Sequence, residues 1–253
     1  MNRTVLSILA HPDDAEFLCA GALVRLAREH SFEVHIATMT PGDCGSAELG
    51  PSEIARVRRE EGHAAARLMG AAYHCLEERD LRVFYCEETL ERVTRLLRTV
   101  RPSIVFTHSP SDYMLDHEMT SVNVRAACFG APIPNFHCDA AHPPPLEHIP
   151  HLYYCDPIEG KDPFGQDIRP GFCIDISKVL DTKSDMLKAH ASQRDWLLKH
   201  HGLDQYIKSM TDWAATRGRA CSVAHAEGFR QHLGHSYPQD NLLGELLGAL
   251  APR

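Results

Sequence analysis

The stretch Ala10-His11-Pro12-Asp13-Asp14-Ala15-Glu16 sets an imidazole and two adjacent carboxylates directly after an apolar run, Thr4 to Leu9, that reads as a buried first strand. Ligands and chemistry collect at that end of a strand in an α/β fold. The residue types suit one arrangement: His11 and one aspartate hold a divalent metal while the other aspartate activates water. A helix cap explains a single Asp and leaves His11, the second Asp and Glu16 without a purpose. The turn is acidic where a dinucleotide-binding fold places glycines, so it repels a pyrophosphate and disfavours nicotinamide or flavin.

A second constellation, His108-Ser109-Pro110-Ser111-Asp112-Tyr113-Met114-Leu115-Asp116-His117-Glu118, follows the strand candidate that starts at Ser103. If the two strands are parallel, both motifs emerge at one edge of the sheet. A histidine from the second then completes a three-ligand site with an open position, as in catalytic zinc. His117 is the best candidate, and Asp116 beside it can orient a neighbouring side chain from behind. His108, His190 and His225 stay open as further members of the site. His35, His63 and His74 fall within strand or helix patterns and read as packed or exposed.

The elements that must position these groups alternate β-branched runs with helical periodicity, the signature of a parallel sheet covered on both faces. Strand candidates are Thr4–Ala10, Glu33–Met39, Ala72–Leu76 and Ser103–His108; helical patterns cover Ala15–Arg28, Ser52–Met69, Glu88–Val100 and His117–Cys128. Gly130 to Pro150 reads as a long loop, and its histidines (His137, His142, His148, then His151) match no ligand spacing. Short strands at Leu152–Cys155 and Gly171–Ile176 follow, then a long helix from Val179 to about His200 and helical segments near Leu203–Thr216 and Ala224–Gln231. The expected fold is α/β: a Rossmann-like parallel sheet sandwiched by helices, with a helical C-terminal part, as a single domain spanning 1–253.

At 253 residues, 43% hydrophobic and 24% charged, the chain buries a sizeable core. A net charge of -8 argues against nucleic acid or an anionic membrane as partner and favours a small molecule. Nine cysteines lie singly with no CxxC pair, which reads as reduced structural thiols. The N-terminus lacks the pattern of a leader, and no apolar run reaches the roughly 20 residues of a membrane span. These features point to the cytoplasm.

The chain resembles the PIG-L/LmbE-like family of metal-dependent N-deacetylases, whose signature is a strand followed by A-H-P-D-D-x-E and a later D-Y-H-P-D-H. The first signature matches fully at Ala10 to Glu16. The likeness continues through Phe17–Ala27, Arg58-Arg59-Glu60-Glu61, Leu68-Met69-Gly70, the second motif, Ser192-Gln193 and Ala226-Glu227-Gly228-Phe229-Arg230. It implies His11, Asp14 and His117 as metal ligands and Asp13 as general base. Zinc is the usual metal and ferrous iron an alternative. It further implies that Arg58, Asp80, Asp112 and Tyr113 contact substrate, an N-acetylated amino sugar or its conjugate, and it is compatible with a homo-oligomer. A non-sugar amide or ester cleaved by the same site is the alternative. One departure stands out: many family members carry histidine at the position of Met114, where it stabilises the oxyanion or protonates the leaving amine. Methionine does neither. Tyr113, His108, His190 or His225 then supplies that role, or Asp13 shuttles the proton both ways, or the substrate differs.

Overall fold

The computed structural model describes residues 2–136, 143–193 and 205–252. His137 and His142, and the expected helix beyond residue 193, lie outside the described residues. Strand β1 (Thr4–Leu9) is buried at every position. An unbroken apolar run cannot leave one face in water, so it takes the middle of a sheet covered on both sides. Because side chains alternate faces, Val5 and Leu9 feed one core with Leu23, Leu26 and Phe106, while Leu6 and Ile8 feed another with Val93, Leu97 and Val105.

Six further strands complete the sheet: β2 (Glu33–Thr38), β3 (Ala72–Cys75), β4 (Ile104–Thr107), β5 (His151–Cys155), β6 (Phe172–Asp175) and β7 (Ala226–Gln231). Their order is β3-β2-β1-β4-β5-β7-β6. Strands β1 to β5 pair in parallel, and β7 runs antiparallel to both β5 and β6. The chain steps outward from β1 through β2 to β3, then restarts on the other side of β1 at β4. The switch point therefore lies between the carboxyl ends of β1 and β4, where such folds bind ligands. Both motifs begin there.

The helices of the first half fall close to the expected positions. Helices α1 (Asp14–Leu18) and α2 (Ala20–His30) replace the single expected helix, and they part at Cys19 (φ -143°, ψ 0°). The break exposes the start of α2, where the Glu227 carboxylate accepts the N–H groups of Gly21 and Ala22 at 2.8 Å each. An anion there suits the helix dipole. Helices α3 (Pro51–Arg67), α4 (Glu87–Val100) and α5 (Leu115–Gly130) cover the sheet.

The second half departs from expectation, and the C-terminal part is not simply helical. Residues Ala226–Gln231 form a strand, not a helix: Glu227 and Phe229, two apart, share the face that carries α2, Glu227 reaching the start of that helix while Phe229 packs on Phe106 at 5.1 Å. Gly228 has no room for a side chain, since a Cβ would stand 2.2 Å from Asp156 Oδ2. The sheet is therefore mixed. The long helix expected from Val179 begins with a 3-10 turn and continues as α6 (Leu180–Lys188). It closes on tight i+3 bonds from Ala189 and His190 N–H to Met186 and Leu187 carbonyls. Helix α7 spans Gln205–Ala220, and a short α8 (Leu242–Leu247), capped by Asn241, was without a sequence signal. Among the described residues, no helix is long and apolar enough to cross a membrane.

Candidate metal centre and active site

The turn after β1 is held locally, with Asp14 Oδ2 accepting the His11 backbone N–H at 2.7 Å. His117 arrives in the first turn of α5, after β4. One donor atom each from His11, Asp14 and His117 falls within 4.8 Å of the others, and all three residues are buried. His11 Nδ1 lies 3.4 Å from Asp14 Oδ2, while its Nε2 meets Asp80 Oδ1 at 3.1 Å and Asp116 Oδ2 at 3.5 Å. His117 Nε2 lies 3.7 Å from Asp14 Oδ1, while its Nδ1 meets Asp112 Oδ1 at 2.9 Å. Each ring thus turns one nitrogen toward Asp14 and commits the other to a carboxylate. That is how proteins fix the tautomer and aim of metal-binding histidines. Other combinations, such as His108, Asp112 and His117, also cluster, but there Asp112 is the group that holds the far side of His117. Two imidazoles, one carboxylate and an outer ring of carboxylates fit a divalent cation such as zinc.

The two neighbouring aspartates live in opposite environments. Burial raises the Asp14 carboxyl, but the charges and hydrogen bonds of His117, His108 and His11 outweigh it and hold Asp14 well below the usual carboxylate range. Asp13 is pushed up, by burial first and then by the charge of Asp14, against the opposing pull of Arg58, His190 and Tyr206. The two neighbouring carboxylates are thus driven apart, Asp14 toward its charged form and Asp13 toward its protonated one. Asp13 also sits in the left-handed region (φ 102°, ψ -24°) and makes no side-chain cap to α1. A non-glycine residue there costs about 1–3 kcal/mol and persists only when its surroundings impose it.

Arg58 and Asp80 line the cavity over the site, and these two and Asp112 are buried and held by the protein. Arg58, expected on the substrate, is buried, with Nη2 donating to the Pro12 carbonyl at 2.7 Å and 3.5 Å from Asp13 Oδ2. Gly42 and Gly45 cover it, and a Cβ on either would come within 2.5 Å of the guanidinium. Asp80 and Asp112, also expected on the substrate, are buried behind His11 and His117. Asp80 Oδ2 further accepts the Cys44 N–H at 3.2 Å. A buried carboxylate must be satisfied by the protein, and these are. Asp116 accepts the N–H groups of Leu81 and Val83 while standing beside His11, so it orients from behind.

Tyr113 is 64% exposed and sets its ring edge-on to His117 at 5.3 Å. It lines, with Met114, Leu81, Cys44, Gln193, Arg58 and Asp80, a cavity of about 300 Å³ that opens onto His11, Asp13, Asp14 and His117. Of the other donor candidates, His108 is fully buried and stacked flat on His117 at 3.9 Å. Burial and the charge of His117 push it down to about 4. His190 is buried 3.4 Å from Glu16 Oε2 on the enclosed side of Asp13. His225 pairs its backbone N–H with Ser177 Oγ, at the β6–β7 side of the sheet. Glu61 binds Ser192 through both oxygens at 2.7 Å, and Gln193 Nε2 reaches the Gly45 carbonyl at 2.9 Å.

A switch-point cluster of this composition defines an α/β protein equipped for metal-assisted activation of water. Residues 6–128 match the PIG-L family model, described as GlcNAc-PI de-N-acetylase, and the chain is similar to that family over this segment. It is 26% identical over 241 residues to a diacetylchitobiose deacetylase of Thermococcus kodakarensis, covering 90% of this chain and 82% of that one. It is 25% identical over 242 residues to a 4-oxalmesaconate hydratase of Pseudomonas putida, covering 90% and 88%. Among solved structures, N,N'-diacetylchitobiose deacetylase from Pyrococcus horikoshii superposes with a TM-score of 0.76 at 25% identity, covering 95% of this chain and 88% of that one.

Proposed function

We propose that the chain is a metal-dependent deacetylase that removes an acetyl group from an N-acetylated amino sugar or its conjugate, with zinc, or ferrous iron, held by His11, Asp14 and His117. The observation that supports this reading most is the opposed environments of Asp13 and Asp14. When bound, a divalent cation supplies Lewis-acid polarisation of the acyl carbonyl and makes a water molecule acidic near neutral pH. The rest falls to the chain. Asp13 takes a proton from the attacking water at its carboxylate. With Met114 unable to donate and His108 fully buried against His117, Asp13 also returns the proton to the leaving amine. The Tyr113 hydroxyl, at the mouth, contacts the substrate. The continuous seven-stranded sheet supports one domain over 1–253. Free cysteines through the core, among them Cys19, Cys128, Cys155 and Cys173, suit a reducing cytoplasm.

The hydratase relative favours a second reading, in which the same base and metal add water across a carbon–carbon double bond of an unsaturated acid. Metal analysis of the purified protein, with acetate release from a panel of N-acetylglucosaminides including N,N'-diacetylchitobiose, separates the two. Metal-dependent acetate release is expected. An untouched panel alongside hydration of unsaturated dicarboxylic acids would transfer the site to the second reading.

A further inference from the structure

We propose that Tyr206 is a positioning residue for Asp13: its phenol, carried by α7, pins one carboxylate oxygen so that the other is presented to the water. This rests on the reading of Asp13 as general base. The Tyr206 hydroxyl donates to Asp13 Oδ2 at 2.5 Å, the length of a strong charge-assisted bond. Arg58 Nη2 approaches the same oxygen. Both contacts converge on Oδ2, and among the described residues Oδ1 has no such bond. One oxygen is anchored and the other is left to take a proton.

The anchor is independent of the hydroxyl it carries. The Tyr206 ring is 5% exposed, packs edge-on against Phe17 at 5.3 Å, and belongs to a small apolar cluster with Leu187 and Met210. Asp13 needs an external hold, because its strained backbone and missing cap leave nothing local to fix the side chain. Arg58 fixes the backbone of the turn through the Pro12 carbonyl, and Tyr206 fixes the carboxylate. A base misplaced by about 1 Å can cost on the order of 100-fold in rate. The C-terminal half thereby contributes to a site whose ligands all come from the first half.

Tyrosine Cζ carbon-13 NMR on the full chain tests the contact directly, with Tyr206→Phe assigning the signal. Asp13→Asn is expected to shift the Tyr206 signal, and a signal that stays in place overturns the proposal. With N,N'-diacetylchitobiose, Tyr206→Phe is expected to lower kcat about 10- to 100-fold with KM within about twofold, metal content and melting temperature being retained. A wild-type kcat in a folded Tyr206→Phe, or a loss confined to KM, also overturns it. If the unaltered protein releases no acetate from any N-acetylglucosaminide of the panel, the deacetylase reading fails instead, and the NMR result still decides whether Tyr206 holds Asp13.

Discussion

On one side of the site Asp14 is ringed by three imidazoles; on the other Asp13 meets a phenol and a guanidinium. The first environment surrounds a carboxylate with groups that favour its charge from several directions. The second buries a carboxylate with fewer and more distant compensations, which leaves it readier to accept a proton. Adjacent residues of one type are thus given different chemistry by what reaches them through space. The side around Asp14 is built from the ends of β1 and β4 and their loops. The side around Asp13 also receives a contact from α7, from the far end of the chain.

The largest expected effect tests the ligand side. Asp14→Ala removes the anion between His11 and His117, so bound metal is expected to be lost and activity to fall about 1000-fold or more; retention of metal by mass spectrometry would collapse the distinction between the two aspartates. Next comes the link between the halves. Lys183 and Glu227 form a buried ion pair at 2.5 Å, and Glu227 also caps α2. Lys183→Met leaves that carboxylate unpaired and is expected to cost about 3–5 kcal/mol in urea unfolding, whereas a change near zero would show that the antiparallel strand is not clamped in this way.

Asp156 offers a control for the claim that burial raises a carboxyl here. Burial pushes it up to about 6, against the pull of Arg217 and Arg230. In the unfolded chain it titrates near about 4, so the folded state binds this proton more tightly. Its contribution to stability is greatest below pH 4 and declines as pH rises through 6, by on the order of 2–3 kcal/mol. Asp156→Asn removes that decline, and its urea midpoint is expected to gain on the wild type between pH 4 and pH 7; parallel curves would contradict the cause assigned to Asp13. The smallest effect concerns the outer carboxylates. Asp112→Asn is expected to weaken metal binding about 10- to 100-fold in competition with a chelator, and unchanged affinity would mean that Asp112 does not aim His117.

The sequence made the ligand side visible because its parts are local. His11 and Asp14 are three apart on one turn, and His117 sits in a motif at the end of a parallel strand, so residue type and strand order pointed to their meeting, while the choice of Asp14 over Asp13 came from the family resemblance. The outer shell was less visible: Asp80 and Asp112 carry no mark in the sequence that places them beside an imidazole, and only their contacts with His11 and His117 show it. Tyr206 had no signal at all, since nothing in the spacing of α7 connects position 206 with position 13. The same holds for β7, where Ala226-Glu227-Gly228-Phe229 gives little periodicity, and its strand character follows from pairing with β5 and β6, which are distant in sequence. Features fixed by neighbours in sequence were legible; those fixed by neighbours in space were not.

The division of labour between the aspartates is tested most directly by Asp13→Asn, with metal content and kcat measured on the same preparation. Retained metal with kcat reduced about 100- to 10,000-fold is the predicted result. Loss of the metal, or turnover near the wild-type rate, would contradict it.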